Sequence, residues 1–136
     1  MINEYLKAID TIKAKYPEAN THALRTNDYG KDLDTIKSDS CMLEAFERCC
    51  CYIQEEVIDK GLTIKSINKE RTSYGYKHTV EHWQKYTGKE YLYIPNIAFV
   101  LAAFHMGLNM TYEYNPQFNI SKRAHNWYSL PRNDKN

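Results

Sequence analysis

The sequence predicts a mainly α-helical fold, a small single-domain helical bundle with one short β-strand or hairpin near residues 108–114. Two observations carry this prediction. In four segments, apolar residues recur three and four positions apart, the spacing of the buried face of a helix. After Gly107 the spacing changes to two, which is typical of a half-buried strand. A chain of 136 residues forms one domain of common size.

The first predicted helix occupies residues 1–17 and ends at Pro17, because the residue before a proline disfavours helical geometry. Its apolar face consists of residues at helical spacing, namely Tyr5, Ile9, Ile12 and Tyr16. Residues 18–38 are polar and rich in turn formers, and a short helix is predicted to begin near Asp32.

The central helix is predicted over residues 39–60, with Ser38, Asp39 and Ser40 as candidate N-caps and Gly61 after its C-terminus. Its core stripe is formed by Leu43, Phe46, Cys50, Ile53 and Val57. A connector follows, with inward-facing Leu62, Ile64 and Ile67.

A helix–loop–helix–strand unit is predicted over residues 73–114. Ser73 caps its first helix, which ends at Gly88 and buries Tyr76, Val80, Trp83 and Tyr86. Asn96 caps its second helix, which ends at Gly107 and is apolar nearly all round, so it should be the buried central element. Beyond Pro116, residues 118–130 are predicted to hold a last helical turn, and residues 131–136 a frayed tail.

Charge and composition favour a protein that binds other proteins. The net charge is +1, with 18 basic and 17 acidic residues interspersed, whereas dedicated nucleic-acid binders usually have a basic excess or stripe. The chain has twelve tyrosines, a residue enriched at protein interfaces. No apolar run approaches the ~20 residues that span a bilayer, and no export signal is evident. We therefore expect a cytoplasmic protein without a membrane partner.

The four cysteines lie close together in the sequence but lack the spacing of a zinc site. Cys49, Cys50 and Cys51 are consecutive and fan out around the central helix, while Cys41 lies near its start. Cys50 falls on the core stripe and Cys49 beside it. We interpret them as reduced thiols, core or half-buried, rather than as metal ligands.

Residues 77–82 read KHTVEH and contain His78, Glu81 and His82 in the H-x-x-E-H order of an inverted zinc-peptidase helix. Such a site also needs a third protein ligand and a substrate cleft. The short pattern arises readily by chance, and Val80 with Trp83 places the core face partly opposite the histidines. We expect a polar helix flank with a Lys77–Glu81 pair. No catalytic residue, metal or cofactor is therefore predicted, and His78 with His82 are the candidate ligands in a third-ranked metal-dependent hydrolase hypothesis.

The helix–loop–helix at 74–106 invites comparison with a helix-turn-helix. Its second helix, however, offers no basic side chain besides His105 for reading bases, and the loop at 88–95 is longer than usual. If DNA is contacted, the residues involved are predicted to be Lys77, His78, Lys85, Lys122 and Arg123. DNA binding by an accessory or regulatory protein is the runner-up function.

Three stretches, TSYGYKHTVEHW, YIPNIAFVLAAFHMGL and NPQFNISKR, resemble a recurring pattern in small, largely uncharacterised proteins of bacteriophages and mobile elements. Those proteins carry S-Y-x-L-K-H-x-x-E followed by Y-x-x-N-x-x-F-x-x-A-A-x-x-x-G-F. Tyr76 stands where leucine is usual, and Leu108 where an aromatic residue is usual. The matching residues are Ser73, Tyr74, Lys77, His78, Glu81, Tyr93, Asn96, Phe99, Ala102, Ala103, Gly107, Asn119 and Ser121.

The resemblance implies a phage or plasmid origin. Small phage proteins without catalytic motifs often act by binding, and inhibitors of host defence, such as anti-CRISPR proteins, are one such class. We therefore expect a non-enzymatic protein that binds a host protein or nucleoprotein complex. A homodimer through Cys51, Tyr52, Tyr91 and Trp127 is a companion hypothesis. The interaction candidates are Lys77, His78, Glu81, Lys85, Tyr91, Lys122, Arg123 and Trp127.

Overall fold

The computed structural model describes residues 1–16 and 32–132. Its helices are α1 (Ile2–Lys15), α2 (Ser40–Tyr52), α3 (Ser73–Tyr86) and α4 (Asn96–His105). A 3-10 turn at Thr35–Ser38 precedes α2, and a π-helical segment at Ile53–Ile58 continues it. Strands β1 (Thr63–Asn68) and β2 (Phe118–Ile120) form an antiparallel pair. The predicted mainly α fold of a small domain is therefore confirmed.

Helix α4 is the centre of the domain and packs against α1, α2 and α3. Residues 96–103 are all buried, as expected of a helix that is apolar on every side. Around it lie the predicted apolar faces of the other helices, including Tyr5, Phe46, Tyr76 and Trp83, all fully buried. Phe99 of α4 stacks on Tyr76, with ring centroids 5.2 Å apart.

The predicted cap of α2 and the glycines that end the helices are confirmed, but the predicted caps Ser73 and Asn96 are wrong. These two residues are the first residues of α3 and α4, which follow Thr72 and Pro95, and neither helix start has a side-chain cap. The Asp39 side chain accepts a hydrogen bond from the Met42 N–H at 3.1 Å, which satisfies one of the free donors at the start of α2. Gly61, Gly88 and Gly107 all have positive φ angles, of 66°, 73° and 81°. Because side chains with a Cβ rarely adopt this conformation, glycine at these points allows the chain to turn.

The position of the predicted strand is wrong. Within residues 108–114, Met110 alone pairs, in an isolated bridge to Phe118. The strands lie instead at β1 and β2, where Thr63 pairs with Ile120. Residues 63–68 were expected to be a connector with inward Ile64, but this side chain is 38% exposed. A strand requires a partner segment, and the alternating pattern at 108–114 carries no information about that partner.

The predicted final helical turn within residues 118–130 is also wrong. Phe118 and Ile120 are buried in β2, and the chain then turns through Ser121. The Ser121 N–H donates to the Leu62 carbonyl at 2.7 Å, which fastens this segment to the end of the α2 region. The predicted helix end at Pro17, and most of the turn-rich stretch and of the frayed tail, lie outside the described residues.

Candidate functional site

Glu81 holds α3 to residues 87–95, which link α3 to α4 and are called the connector from here on. Its carboxylate accepts a hydrogen bond from the Ile94 N–H at 3.0 Å and lies 3.5 Å from the Lys77 ammonium. The other carboxylate oxygen lies 3.0 Å from Nδ1 of His78. Glu81 is only 9% exposed, so this carboxylate is used within the fold.

A second set of hydrogen bonds fastens the same connector. Gln84, which is fully buried, donates from its side-chain amide to the Leu92 carbonyl at 2.9 Å. Arg48 of α2 donates to the side-chain oxygen of Gln84 at 2.5 Å and to the Glu90 carbonyl at 2.6 Å. The connector is therefore tied to two helices by charged and amide side chains.

Lys77 is buried, contrary to the expectation of an exposed polar flank. It is 3% exposed, and its ammonium lies 4.6 Å from the ring centre of Tyr93. An ammonium over an aromatic face is attracted by the ring quadrupole, and the nearby Glu81 neutralises its charge. The predicted Lys77–Glu81 pair exists, but Lys77 is not available to a large partner such as DNA.

The two histidines of the H-x-x-E-H stretch contact tyrosines. The Tyr74 ring packs edge-to-face on His78, with centroids 4.7 Å apart. Tyr128, from the C-terminal segment, packs in the same way on His82 at 4.8 Å. Tyr74 remains 45% exposed and Tyr128 53% exposed. The outer side of α3 therefore presents aromatic rings in fixed positions.

A small cavity of about 400 Å³ lies further along this side, lined by Glu81, His82, Lys85 and Tyr91. Tyr91 is 61% exposed. Partial desolvation raises the pKa of its phenol, and the charge of Glu81 with a hydrogen bond to it raises that pKa further. We call the surface formed by Tyr74, His78, His82, Lys85, Tyr91 and Tyr128 the tyrosine–histidine face.

A larger cleft of about 1030 Å³ adjoins this face, between the start of α3 and the C-terminal segment. Its lining includes four cationic side chains, Arg71, Lys122, Arg123 and Arg132, and one acidic residue, Glu70. The lining therefore has a net formal charge of +3, although the whole chain has +1. Its walls are residues 70–75 and 122–132. We call this feature the basic cleft.

Arg71 joins the two walls of the basic cleft. Its guanidinium lies 4.2 Å from the ring centre of Tyr76 and donates to the Thr79 hydroxyl of α3. The same guanidinium donates to the Ala124 carbonyl of the opposite wall at 3.4 Å. In contrast, Lys122 and Arg123 are exposed. The cleft thus combines one fixed cation with exposed ones.

The interaction candidates divide into exposed and buried residues. Lys85, Tyr91, Lys122 and Arg123 are exposed, and His78 is partly exposed. Trp127, expected as a surface aromatic, is 7% exposed, and Tyr52 of the homodimer hypothesis is fully buried. The Tyr52 ring packs against Trp83 with ring centroids 5.4 Å apart, and Trp127, which has a φ of 62°, packs against His125 at 5.2 Å.

Sequence reasoning missed Arg71, Arg132, Tyr74 and Tyr128 as members of a site. Tyr74 belongs to the recurring pattern, and Arg71 lies two residues before α3, but neither feature indicates a cleft. The two walls are about 50 residues apart in the sequence, and the Arg71–Ala124 contact spans 53 positions. Only the folded chain brings them together.

The cysteines occupy the positions expected from helical phase. Cys49 and Cys50 are buried, Cys41 and Cys51 are exposed, and all four are free. Burial raises the pKa of the Cys49 thiol, and it raises that of Cys50 to about 12. Within residues 1–16 and 32–132, no group of three or more histidine, cysteine, aspartate or glutamate side chains is arranged to hold a metal ion.

Comparison with known proteins gives one partial similarity. A family model described as the lipase 3 N-terminal region matches residues 61–118, which contain β1, α3 and α4. This stretch is 58 of the 136 residues, and the description concerns an N-terminal region. No curated protein and no solved structure matches the chain. In the part of the chain described here, no helix has the length and apolar character to cross a membrane.

Proposed function

We propose that this protein is a non-enzymatic accessory protein of a bacteriophage or mobile element that binds a host protein through its tyrosine–histidine face. The observation that carries the proposal is the pair of edge-to-face contacts, Tyr74 on His78 and Tyr128 on His82, which hold exposed rings in place. Tyrosine has few rotatable bonds and a large apolar surface, so it loses little entropy when it binds. It is also enriched among residues that dominate binding energy.

The polar residues of the H-x-x-E-H stretch support a binding role rather than a catalytic one. Glu81 is buried and hydrogen-bonded to the Ile94 backbone, and Lys77 is buried beside it. Their charges neutralise each other and fix the connector that carries Tyr91 and Tyr93. The stretch therefore serves as an internal support for the surface aromatics around α3.

The finer proposal is that the partner belongs to a host defence complex and that binding inhibits it in the bacterial cytoplasm. This part rests on the resemblance of residues 72–123 to phage and mobile-element proteins. A neutral, tyrosine-rich protein suits an inhibitor that docks on another protein.

A tagged pull-down tests the proposal. The protein is incubated with lysate of a bacterial host that carries defence systems, with and without nuclease, and retained proteins are identified by mass spectrometry. We expect a discrete partner that survives nuclease. Tyr91→Ala and Lys85→Glu should each reduce its recovery, because both residues are exposed on the tyrosine–histidine face.

Tyr112→Ala is the matched control, because Tyr112 is also an exposed tyrosine but packs on Tyr16, away from the lining of either site. It should leave recovery unchanged. Recovery of no protein after nuclease, or equal losses with Tyr91→Ala and Tyr112→Ala, would overturn the docking proposal. A dimer of the purified protein in size-exclusion chromatography that Tyr91→Ala converts to monomer, with no host protein recovered, would assign the face to a homodimer instead.

A further inference from the structure

We infer that the basic cleft binds a single-stranded nucleic acid, with its cations on the phosphates and Tyr74 and Tyr128 stacked on bases. The cleft shares Tyr74 and Tyr128 with the tyrosine–histidine face, but the inference does not depend on the protein-docking proposal. It also differs from the predicted DNA contact, because the buried Lys77 takes no part and four cleft residues were not foreseen.

The distribution of charge is the first argument. The chain as a whole is nearly neutral, at +1, whereas the cleft lining is at +3. The remaining residues are therefore net acidic, by −2, so the cleft lining is more positive than the rest of the chain. A groove lined by cations concentrates a polyanion and orients it before contact.

The second argument is that the cations are presented for contact. Lys122, Arg123 and Arg132 are exposed. The backbone at Lys122 and Arg123 is held by two hydrogen bonds. The Ser121 hydroxyl accepts from the Arg123 N–H at 3.1 Å, and the Ser121 carbonyl accepts from the Ala124 N–H at 3.0 Å. Arg71 fixes the spacing of the walls. Such an arrangement tracks a phosphate backbone without reading sequence.

The third argument concerns the aromatic rings in the lining. Tyr74 and Tyr128 each lie at the edge of the cleft, and a histidine holds each ring edge-to-face. Both rings are about half exposed, at 45% and 53%. Tyrosine rings between cations are the standard means of binding unpaired bases, since every base has a π-face.

These features favour a single strand over a duplex or an acidic peptide. The bases of a duplex are already stacked on one another, so they have no free face for a tyrosine ring. An acidic peptide would use the cations but gives the two rings no planar partner. A cleft of about 1030 Å³ suits a short stretch of one strand rather than a double helix.

The test is fluorescence anisotropy with labelled single-stranded DNA and RNA of mixed sequence, titrated with the full chain at several salt concentrations. Three phosphate contacts, from Lys122, Arg123 and Arg132, would make the logarithm of affinity fall with the logarithm of salt at a slope of about −2. In the Lys122→Gln, Arg123→Gln double variant, the slope should fall to about −0.7. Tyr128→Ala should weaken binding by roughly 5- to 150-fold, while Tyr128→Phe preserves it.

Lys7→Gln with Lys65→Gln is the matched control, because both lysines are exposed and neither lines the basic cleft. It should leave affinity and salt slope unchanged. Equal loss with this control, or no binding at low salt, would overturn the inference. If duplex, polyphosphate or a polyglutamate peptide displaces the labelled strand as well as an unlabelled single strand does, and Tyr128→Ala has no effect, the cleft is a general anion site and the inference is also overturned. None of these results alters the nuclease-resistant pull-down, so the two proposals fail separately.

Discussion

Replacing Glu81 by alanine tests whether a buried carboxylate holds α3 to the connector. The substitution removes the charge beside Lys77, which is 3% exposed, and the acceptor of the Ile94 N–H. Breaking a buried ion pair costs about 3–5 kcal/mol, because the remaining charge stays away from water. The loss should lie near the lower end, about 3 kcal/mol, because Lys77 keeps its contact with the Tyr93 ring at 4.6 Å.

The assay is urea unfolding followed by circular dichroism. With a denaturant dependence of about 1–3 kcal/mol/M, a loss of about 3 kcal/mol lowers the midpoint by roughly 1–3 M. Lys60→Ala is the control, because it removes an ion pair of the same i,i+4 spacing, Glu56–Lys60 at 2.6 Å, whose lysine is exposed. This exposed pair should contribute only about 0.3–0.5 kcal/mol.

A double variant, Lys77→Met with Glu81→Gln, separates charge from packing. Glutamine still offers an oxygen to the Ile94 N–H, and methionine fills the volume of the lysine stem, so no buried charge remains. We expect most of the stability lost in Glu81→Ala to return. If Glu81→Ala lowers the free energy of unfolding by less than about 1 kcal/mol, or if the double variant is no more stable than Glu81→Ala, the proposed role of Glu81 in holding α3 to the connector is refuted.

Three further predictions follow. Phe99→Ala should lower the free energy of unfolding by about 3–5 kcal/mol in the same assay, because it leaves a cavity between fully buried rings of the core; a loss below about 1 kcal/mol would contradict the central position of α4. In the folded protein a thiol reagent should modify Cys41 and Cys51 rapidly and Cys49 and Cys50 only after urea is added; four rapid reactions would contradict the burial. Burial raises the pKa of Cys50 from 9.0 to about 12, so its neutral thiol stabilises the fold below pH 9, and the free energy of unfolding should decline as pH rises from 9 towards 12. Cys50→Val should show a smaller decline of this free energy over the same pH range. An equal decline would contradict the raised pKa of Cys50.

The recurring pattern in the sequence proves to be mostly internal. Ser73, Lys77, Glu81, Asn96 and Phe99 are all buried, and so are both alanines of the second segment. Its exposed members include Tyr74 in α3 and Tyr93 in the connector. In this chain, the buried residues of these stretches therefore serve mainly to pack α3, the connector and α4 together.

The sequence alone predicted the four helices, their approximate ends and most of their buried faces, although it assigned the caps of α3 and α4 to Ser73 and Asn96, which lie inside those helices. These properties depend on neighbours within a few positions: helical spacing defines the face, Asp39 supplies the cap, and Gly61, Gly88 and Gly107 allow the turns. For the same reason, the positions of Cys50 and Cys51 around the axis of α2 were enough to predict that Cys50 is buried and Cys51 exposed. Local geometry suffices for each of these predictions.

Tertiary structure alone decided the strand pairing, the burial of Lys77 and the two candidate sites. Each depends on segments far apart in the chain: β1 on β2, Glu81 on the Ile94 backbone, and residues 70–75 on residues 122–132. A charged side chain looks the same in a sequence whether or not a partner neutralises it. Burial of a charge is favourable only when that partner arrives, and its arrival depends on how the whole chain packs.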